Sequence, residues 1–271
     1  MTGKRSLGTA IVSLCLALVC FLVPPVCIAD SHTLAFPGAE GFGAHTVGGR
    51  GGKILFVTNL NDAGPGSLRE ACQAQGTRTV LFRVSGIIEL ERGISIRNPY
   101  LTIAGQTAPG DGICLKNWHL EISSREIIIR HLRFRPNLMP NPRFDTDKPR
   151  IQGNLEYEEF DSISIGNSED VIVDHCSVSW GNDETFSAVV TGGGTKLRNL
   201  TIQWCIISEG LDWYDHSMGT GFDSKGGGVS MHHNLYAHNG TRNPRLGSWP
   251  GYEANLDFRN NVLYNWRSNC G

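Results

Sequence analysis

A repeat in the second half of the sequence limits the folds that this chain can adopt. Five segments align there without gaps and alternate apolar with polar residues: 127–131, 171–175, 200–204, 229–233 and 256–260. Their first residues lie 44, 29, 29 and 27 positions apart, and repeats of about 20 to 50 residues indicate a solenoid or a propeller. Glycine, asparagine and serine separate short β-type runs, and helical periodicity is weak. The pattern therefore favours a parallel β-helix with one coil per repeat.

The longest interval between repeats contains an insertion. Residues 136–159 carry four prolines among polar residues. This composition is typical of a loop that projects from the stacked coils. The strand pattern resumes at Asp161, and earlier runs at 79–84 and 100–103 predict further coils. We therefore expect residues 30–271 to form one β-helix domain.

The first 29 residues resemble a secretory signal peptide. Lys4 and Arg5 precede an almost wholly apolar stretch at 7–23, and Ala29 offers a small-residue cleavage site before Asp30. The alternative is a membrane anchor, but the apolar run is near the lower limit for a spanning helix. We expect cleavage, and a mature protein that is secreted or periplasmic, monomeric and not held in a membrane.

Charge and cysteine usage exclude several classes of protein. The net charge is −2 without a basic block, which argues against nucleic acid as a partner. Five of the eight cysteines follow the predicted signal peptide, and an odd, widely spaced set is not a disulfide framework. One aligned column reads Leu132, Cys176, Cys205, Asn234, Asn261. It predicts two stacked, reduced cysteines rather than a disulfide, followed by a short asparagine ladder.

Two arginines indicate a ligand that carries carboxylates. Arg242 and Arg245 flank Pro244 just after a strand-like segment, and the planar guanidinium matches a carboxylate in two-point geometry. An acidic group lies upstream and consists of Glu158, Glu159, Asp161, Asp183 and Glu184. Arginines and acids brought into one groove would hold an acidic substrate bridged by a metal ion.

Several motifs together resemble pectate lyases of polysaccharide lyase family 1, in their bacterial secreted form. They are Val171-Ile-Val-Asp-His-Cys, Glu159-Phe-Asp161 with the following Ser-Ile-Ser-Ile, Arg242-Asn-Pro-Arg245, and the N-terminal segments 36–43 and 59–70. The resemblance implies a right-handed parallel β-helix, a single-stranded solenoid. It also implies β-elimination of polygalacturonate (pectate) with Ca²⁺ as cofactor.

The resemblance also implies roles for individual residues. Arg242 would be the catalytic base, and Arg245 would hold a substrate carboxylate. The calcium ligands would be Glu159, Asp161, Asp183 and Glu184, whereas Glu158 is interpreted as a surface residue. Because arginine normally stays protonated, Arg242 could instead stabilise charge while water or hydroxide removes the proton. Arg245 could instead form a salt bridge with a nearby acid.

The chain departs from the family pattern at three places. Ser187 occupies a position where the family often has a further calcium-binding aspartate, and Glu184 is expected to compensate. No lysine matches the expected substrate-binding lysine, and His216 lies in that loop, so His216 is a predicted substrate-binding residue. The chain stops one coil after the arginines, so a C-terminally short solenoid is expected.

Two other functions compete with pectate cleavage. A lyase for methyl-esterified pectin would not need calcium, and we would not expect it to keep the acidic group. The second alternative is a non-catalytic β-helix that binds polysaccharide or serves as a surface structural protein. It agrees with the predicted fold but does not explain why the motifs occur together. The remaining histidines His175, His232 and His233 lie in or beside the repeated columns and are interpreted as structural.

Overall fold

The computed structural model describes residues 33–150, 154, 156–190, 196–213, 215–248 and 251–268. In these residues, strands that pair in parallel form three sheets, and only one short α-helix accompanies them. The predicted all-β parallel β-helix is confirmed. The predicted signal peptide, residues 1–29, and Cys270 lie outside the described residues. None of the described helical segments has the length and apolar character needed to cross a bilayer.

The first sheet contains eight strands, one from each successive coil. They are β1 (Lys53–Val57), β2 (Arg78–Phe82), β5 (Leu101–Ala104), β8 (Arg125–Arg130), β11 (Glu169–Asp174), β14 (Arg198–Gln203), β17 (Gly227–His232) and β20 (Ala254–Arg259).

The second and third sheets complete each coil. The second sheet contains β3 (Gly86–Glu89), β6 (Ile113–Asn117), β9 (Leu132–Pro136), β12 (Ser177–Ser179), β15 (Ile206–Ser208), β18 (Leu235–Ala237) and β21 (Val262–Tyr264). The third sheet contains β4 (Ile94–Ile96), β7 (Leu120–Ile122), β10 (Ile163–Ile165), β13 (Glu184–Val189), β16 (Met218–Ser224) and β19 (Arg245–Ser248).

The observed strand register agrees with the sequence repeat. The first residues of the five aligned segments are direct partners in the first sheet, in the order Ile127, Val171, Leu200, Val229, Leu256. Because side chains alternate between the two faces of a strand, these positions all point inward. They form stacked apolar columns, fully buried from Ile127 to Val229. A slip of one residue would expose the whole column, so burial fixes the register.

The predicted asparagine ladder lies at the corner between the first and second sheets. The Cys205 amide donates to Asn234 Oδ1 at 2.9 Å, and the Asn234 amide donates to Asn261 Oδ1 at 2.9 Å. The Cys176 amide donates to Cys205 Sγ at 3.4 Å, so a sulfur atom continues the ladder. Both cysteines are free and buried, which confirms the reduced pair.

A short helix closes the N-terminal end of the core. Helix α1 (Leu68–Gln73) begins after Ser67, whose Oγ accepts a hydrogen bond from the Glu70 amide. Its buried face carries Leu68 and Cys72 and packs against β4 and β1. The helix therefore covers the first coils, whose apolar interior would otherwise face water.

An N-terminal strap, residues 35–49, crosses the outer face of the first sheet. Its backbone amides bond to outward side chains of successive coils, including Phe42 to Ser230 Oγ at 3.1 Å and Gly49 to Thr102 Oγ1 at 2.9 Å. Gly43 is close enough to Val171 that an added Cβ would lie 2.6 Å from its carbonyl oxygen. The strap therefore contacts coils from β2 to β20.

The predicted insertion is a loop between β9 and β10. Asn154 is buried inside it, and its amide group donates to the carbonyl oxygens of Asp145, Lys148 and Pro149. The predicted insertion ends at Glu159, and the chain enters the third sheet at Ile163, the first residue of β10. Its internal hydrogen bonds satisfy polar backbone groups that no neighbouring strand can pair.

Candidate active site

Loops that lead from the second sheet into the third carry most of the residues singled out in the sequence. Four such loops precede β10, β13, β16 and β19, and they stack because those strands are neighbours in the sheet. In chain order, the loops and the first residues of their strands supply Glu159, Asp161, Asp183, Glu184, His216, Arg242 and Arg245. Residues that are 86 positions apart in sequence therefore line one side of the solenoid.

The acidic residues form two overlapping groups. Carboxylate oxygens of Asp161, Asp183 and Glu184 lie within 4.8 Å of one another, and so do ligand atoms of Glu159, Asp183 and His216. His216 Nδ1 lies 2.7 Å from Glu159 Oε1 and 3.3 Å from Asp183 Oδ1. Asp183 belongs to both groups and connects them.

This crowding makes the carboxyl groups difficult to ionise. Burial, with a smaller contribution from the nearby Asp183, raises the pKa of Asp161 to about 7, although a hydrogen bond from Ser187 opposes the shift. Burial also raises the pKa values of Glu159 and Asp183. Like charges in one site disfavour ionisation. A bound cation would therefore stabilise the ionised form of these carboxyl groups.

The donor set fits calcium. Ca²⁺ prefers several carboxylate and carbonyl oxygens in flexible geometry, and Asp161, Asp183 and Glu184 supply such oxygens from neighbouring loops. Glu159 lies beside them and is engaged by His216. The residues that would hold the ion are therefore Asp161, Asp183 and Glu184, with Glu159 adjacent.

Arg242 is held against the acidic group by backbone contacts. Its carbonyl oxygen accepts a hydrogen bond from the Thr220 amide at 2.6 Å, and its guanidinium forms an ion pair with Glu184. At Gly219, an added Cβ would lie 2.6 Å from that carbonyl oxygen, so glycine permits the approach. Burial lowers the pKa of Arg242, and the positive charge of Arg245 lowers it further.

A polar column on the outer face of the third sheet leads from the acids to Arg245. Ser164, Ser187, Gly221 and Arg245 are direct partners in successive strands. An added Cβ at Gly221 would lie 2.7 Å from Glu184 Oε1, so glycine leaves room for that carboxylate. The column forms a surface where a polyanion could lie along the solenoid axis.

Arg245 forms an ion pair with Asp223 at 3.2 Å, which is the alternative that the sequence left open. The Arg245 side chain is about half exposed, at 49%. Exposed ion pairs contribute little to stability, so a substrate carboxylate could replace Asp223. His216 contacts two acids rather than open solvent, and its predicted role in substrate binding stays a prediction.

Sequence reasoning missed two residues that organise the acids. Ser187 appeared there only as a missing ligand, yet its hydroxyl donates to Asp161 Oδ2. Asn182 is buried, accepts from the Phe160 amide at 3.0 Å and donates to the Glu158 carbonyl at 2.6 Å. It therefore connects the two loops that carry the acids. In the sequence, only the adjacent Asp183 indicated that this segment belongs to the site.

Replacing Asn182 with alanine should loosen both acidic loops. We expect calcium affinity to fall by roughly tenfold or more, the usual cost of losing a residue that orients metal ligands. The melting temperature should also fall, because two partly buried backbone groups lose their partners. Calcium titration by calorimetry and a thermal melt in chelator measure the two effects.

Asn234→Ala is the matched control, because Asn234 is also a buried asparagine that connects two coils. It should lower the melting temperature without changing calcium affinity. Equal calcium affinities for Asn182→Ala and the parent would refute the orienting role of Asn182.

No protein-family model matches the chain. Curated sequences do match.

The chain is 42% identical to a probable pectate lyase C from Aspergillus terreus.

That match covers 94% of this chain and 54% of the relative. A probable pectate lyase C from Emericella nidulans is 41% identical, over 91% of this chain and 51% of the relative. The chain thus spans about half the length of these relatives. Both are fungal, so these matches are to fungal proteins and not to the predicted bacterial secreted type.

A solved structure of the cedar pollen allergen jun a 1 also matches. Its TM-score is 0.48 at 17% sequence identity, and the match covers 84% of this chain and 81% of that one.

Proposed function

We propose that this chain cleaves polygalacturonate by calcium-dependent β-elimination and leaves 4,5-unsaturated oligogalacturonides. The observation that carries the proposal is the position of Arg242 beside the carboxylates of Asp161, Asp183 and Glu184. The names of the fungal relatives support the same activity.

The chemistry starts with an acidic proton. The C5 proton of a galacturonate residue lies α to a carboxylate, and a base removes it. The electron pair forms the C4–C5 double bond, and the bond between C4 and the glycosidic oxygen breaks. The departing oxygen takes up a proton from water and leaves as a hydroxyl group. Charge that develops on the substrate carboxylate during proton removal must be stabilised, and preorganised charges do this best. Calcium, when bound, supplies positive charge for that carboxylate.

Arg242 is the proposed base. A neutral guanidine side chain is required for that role. Burial and Arg245 favour loss of its proton, whereas the charges of Asp183 and Asp161 oppose it. Glu184 favours the charged form while it is paired with Arg242. Glu184 is also a proposed metal ligand, so a bound ion would compete with Arg242 for its negative charge. Charge stabilisation by Arg242, with water as base, remains the second assignment.

Arg245 is the proposed clamp for a substrate carboxylate. Its guanidinium lies in the outward column of the third sheet, with Gly221 and then Ser187 as successive partners toward the acids. Two-point binding of a carboxylate fixes the orientation of the sugar that carries it. Arg245 would thereby position a galacturonate ring relative to Arg242.

The proposal is tested by following the absorbance of the unsaturated product. Polygalacturonate should be cleaved with calcium present, cleavage should stop in excess chelator, and added calcium should restore it. Full activity in excess chelator would contradict the assignment of calcium to the acidic group. Activity on highly methylated pectin alone would favour the pectin lyase, and no cleavage of either polymer would favour a non-catalytic binding protein.

Replacing Arg245 with lysine should raise KM for polygalacturonate and leave kcat within a fewfold of the parent. A clamp binds the ground state and the transition state alike, so its loss weakens uniform binding. Lysine keeps the charge but not the planar fork. Steady-state kinetics at saturating calcium separate the two constants. A large fall in kcat with unchanged KM would contradict the clamp.

The remaining parts of the proposal concern the setting of the enzyme. We propose a secreted, monomeric mature protein that starts near Asp30. Mass spectrometry of the protein from its native host tests the cleavage site, and light scattering tests the monomer. A product that retains residues 1–29 in a membrane would contradict secretion.

A further inference from the structure

The outer face of the second sheet carries two arginines without a carboxylate partner. Strand β9 points Arg133 and Arg135 outward, because the alternating residues Leu132 and Phe134 are buried in the core. Among the residues that the structure describes, neither arginine forms a salt bridge. Two such cations on one strand favour a ligand that brings negative charge.

Arg135 is held in place, yet one edge of its guanidinium stays open. Its Nη1 donates to the carbonyl oxygens of Phe134 and Ser177, each at 2.8 Å, and its Nη2 donates to Ser177 Oγ at 2.7 Å. A guanidinium has five N–H donors, so the Nε hydrogen and one Nη2 hydrogen are left. The Nε atom is not buried away from solvent. These two hydrogens point the same way, which is the geometry that binds both oxygens of one carboxylate.

Further cationic and aromatic groups lie beside Arg135. Lys116 is its register partner on β6, and its guanidinium carbon lies 5.6 Å from the centre of the Trp180 ring. Trp180 is 42% exposed. Lys116, Arg133 and Arg135 all oppose the rise in pKa that burial gives to the thiol of Cys114, so the three cations share one small area. These cations and Trp180 form the basic patch.

Two carboxylates lie near the basic patch, and neither is bonded to Arg135. Glu89 Oε1 pairs with Lys116 Nζ at 2.8 Å, and both side chains are exposed. Exposed pairs of this kind contribute little and exchange readily. Glu209 Oε2 accepts from the indole nitrogen of Trp180 at 3.3 Å. The open edge of Arg135 is therefore available to a carboxylate from outside the chain.

We propose that the basic patch is an accessory binding surface for acidic polysaccharide, with a uronate carboxylate on the open edge of Arg135. Neighbouring carboxylates of the polymer meet Arg133 and Lys116, and a sugar ring packs beside Trp180. The choice of polygalacturonate as the polymer rests on the proposed function. The basic patch lies on the second sheet, whereas Arg245 lies on the third. The surface therefore holds the enzyme on its polymer and takes no part in cleavage.

Binding of polygalacturonate in excess chelator tests the basic patch. The protein carries Arg245→Gln, and without calcium the carboxylates of the groove repel the polymer, so the groove contributes little. We expect this protein to keep a binding that weakens with added salt and that fully methyl-esterified pectin does not show. A protein that binds no polygalacturonate, or binds both polymers equally, would overturn the proposal. Affinity electrophoresis detects binding without cleavage, so its result is independent of the lyase assay.

Arg135→Lys and Arg133→Gln, made in that protein, locate the surface. Lysine keeps the charge of Arg135 but not the fork, and we expect the affinity to fall at least about fivefold, as for the loss of a charged hydrogen bond. Arg133→Gln should lower the affinity about threefold, since it removes one exposed charge. Arg133 has no hydrogen bond among the described residues, so this variant decides the test if Arg135→Lys is unstable.

Arg125→Gln is the matched control. Arg125 is exposed on the first sheet, and its guanidinium carbon lies 5.2 Å from the centre of the Tyr100 ring, so it is also an arginine beside an aromatic residue. The control should keep the affinity within about twofold. Unchanged affinity in Arg133→Gln would overturn the site. An equal loss in Arg125→Gln would also overturn it, since the polymer would then bind surface arginines in general.

Discussion

Replacing Arg242 with lysine should abolish turnover of polygalacturonate while the fold and the calcium affinity stay close to those of the parent. Lysine keeps the positive charge but loses the planar guanidinium. A long-range electrostatic role would survive that change, whereas a role in the transition state would not. We expect kcat to fall by at least about a hundredfold, the usual cost of losing one positioned acid–base or oxyanion-stabilising group.

Arg198→Lys provides the control for this prediction. Arg198 forms an exposed pair with Glu169 on the first sheet, away from the acidic groove. That variant should keep parental kinetics. More than about a tenth of parental kcat in Arg242→Lys would refute the catalytic assignment, because such a loss corresponds to only about 1.4 kcal/mol.

Asp183→Asn should weaken calcium binding more than any other single change among the acids. Asp183 belongs to both acidic groups, and calcium affinity varies over decades with the number of charged ligands. We expect the dissociation constant to rise at least about tenfold, measured by calorimetry with calcium alone. Without calcium, the variant should be no less stable, since the Asp183 charge raises the pKa values of Glu159 and Asp161.

Glu158→Gln is the matched control. Glu158 neighbours Glu159, but the contact seen at the site uses its backbone carbonyl, which accepts from Asn182. Its calcium affinity should equal that of the parent. An unchanged dissociation constant in Asp183→Asn would remove Asp183 from the metal site.

The coil register could be predicted because it depends on a local pattern. Alternation with a period of two tells which residues point inward, and the ungapped repeat then places Ile127, Val171 and Leu200 in one column. The same alignment of equivalent positions predicted the stacked reduced cysteines and the asparagine ladder. Side chains that repeat along the chain meet their own equivalents in the stack.

The candidate site could be predicted only in part. Arg242, Asp161 and Asp183 came from motifs, and the structure brings them together. The contacts of Asn182, Ser187 and Asp223 were missed, because each of them joins residues that are not register partners and that no periodic pattern aligns.

The N-terminal strap could not be predicted at all. Its amides bond to side chains far away in sequence, such as Glu40 to Gln203 at a separation of 163 residues and Phe42 to Ser230 at 188. A glycine-rich segment has no periodic pattern of side chains that would indicate those partners. Such contacts become visible only when the first sheet is assembled.

Those distant contacts change how the molecule can come apart. In an ordinary repeat array each unit touches only its neighbours, so terminal units can fray one after another. Here the Phe42 amide donates to Ser230 in β17, in the coil that carries Arg242 and Arg245. The Val47 amide donates to Glu126 in β8, in the coil that leads to Glu159 and Asp161. Separating those coils first requires release of the strap. The strap thus makes the coils unfold cooperatively, and it keeps the coil with the arginines from opening independently of the coils that hold the acids.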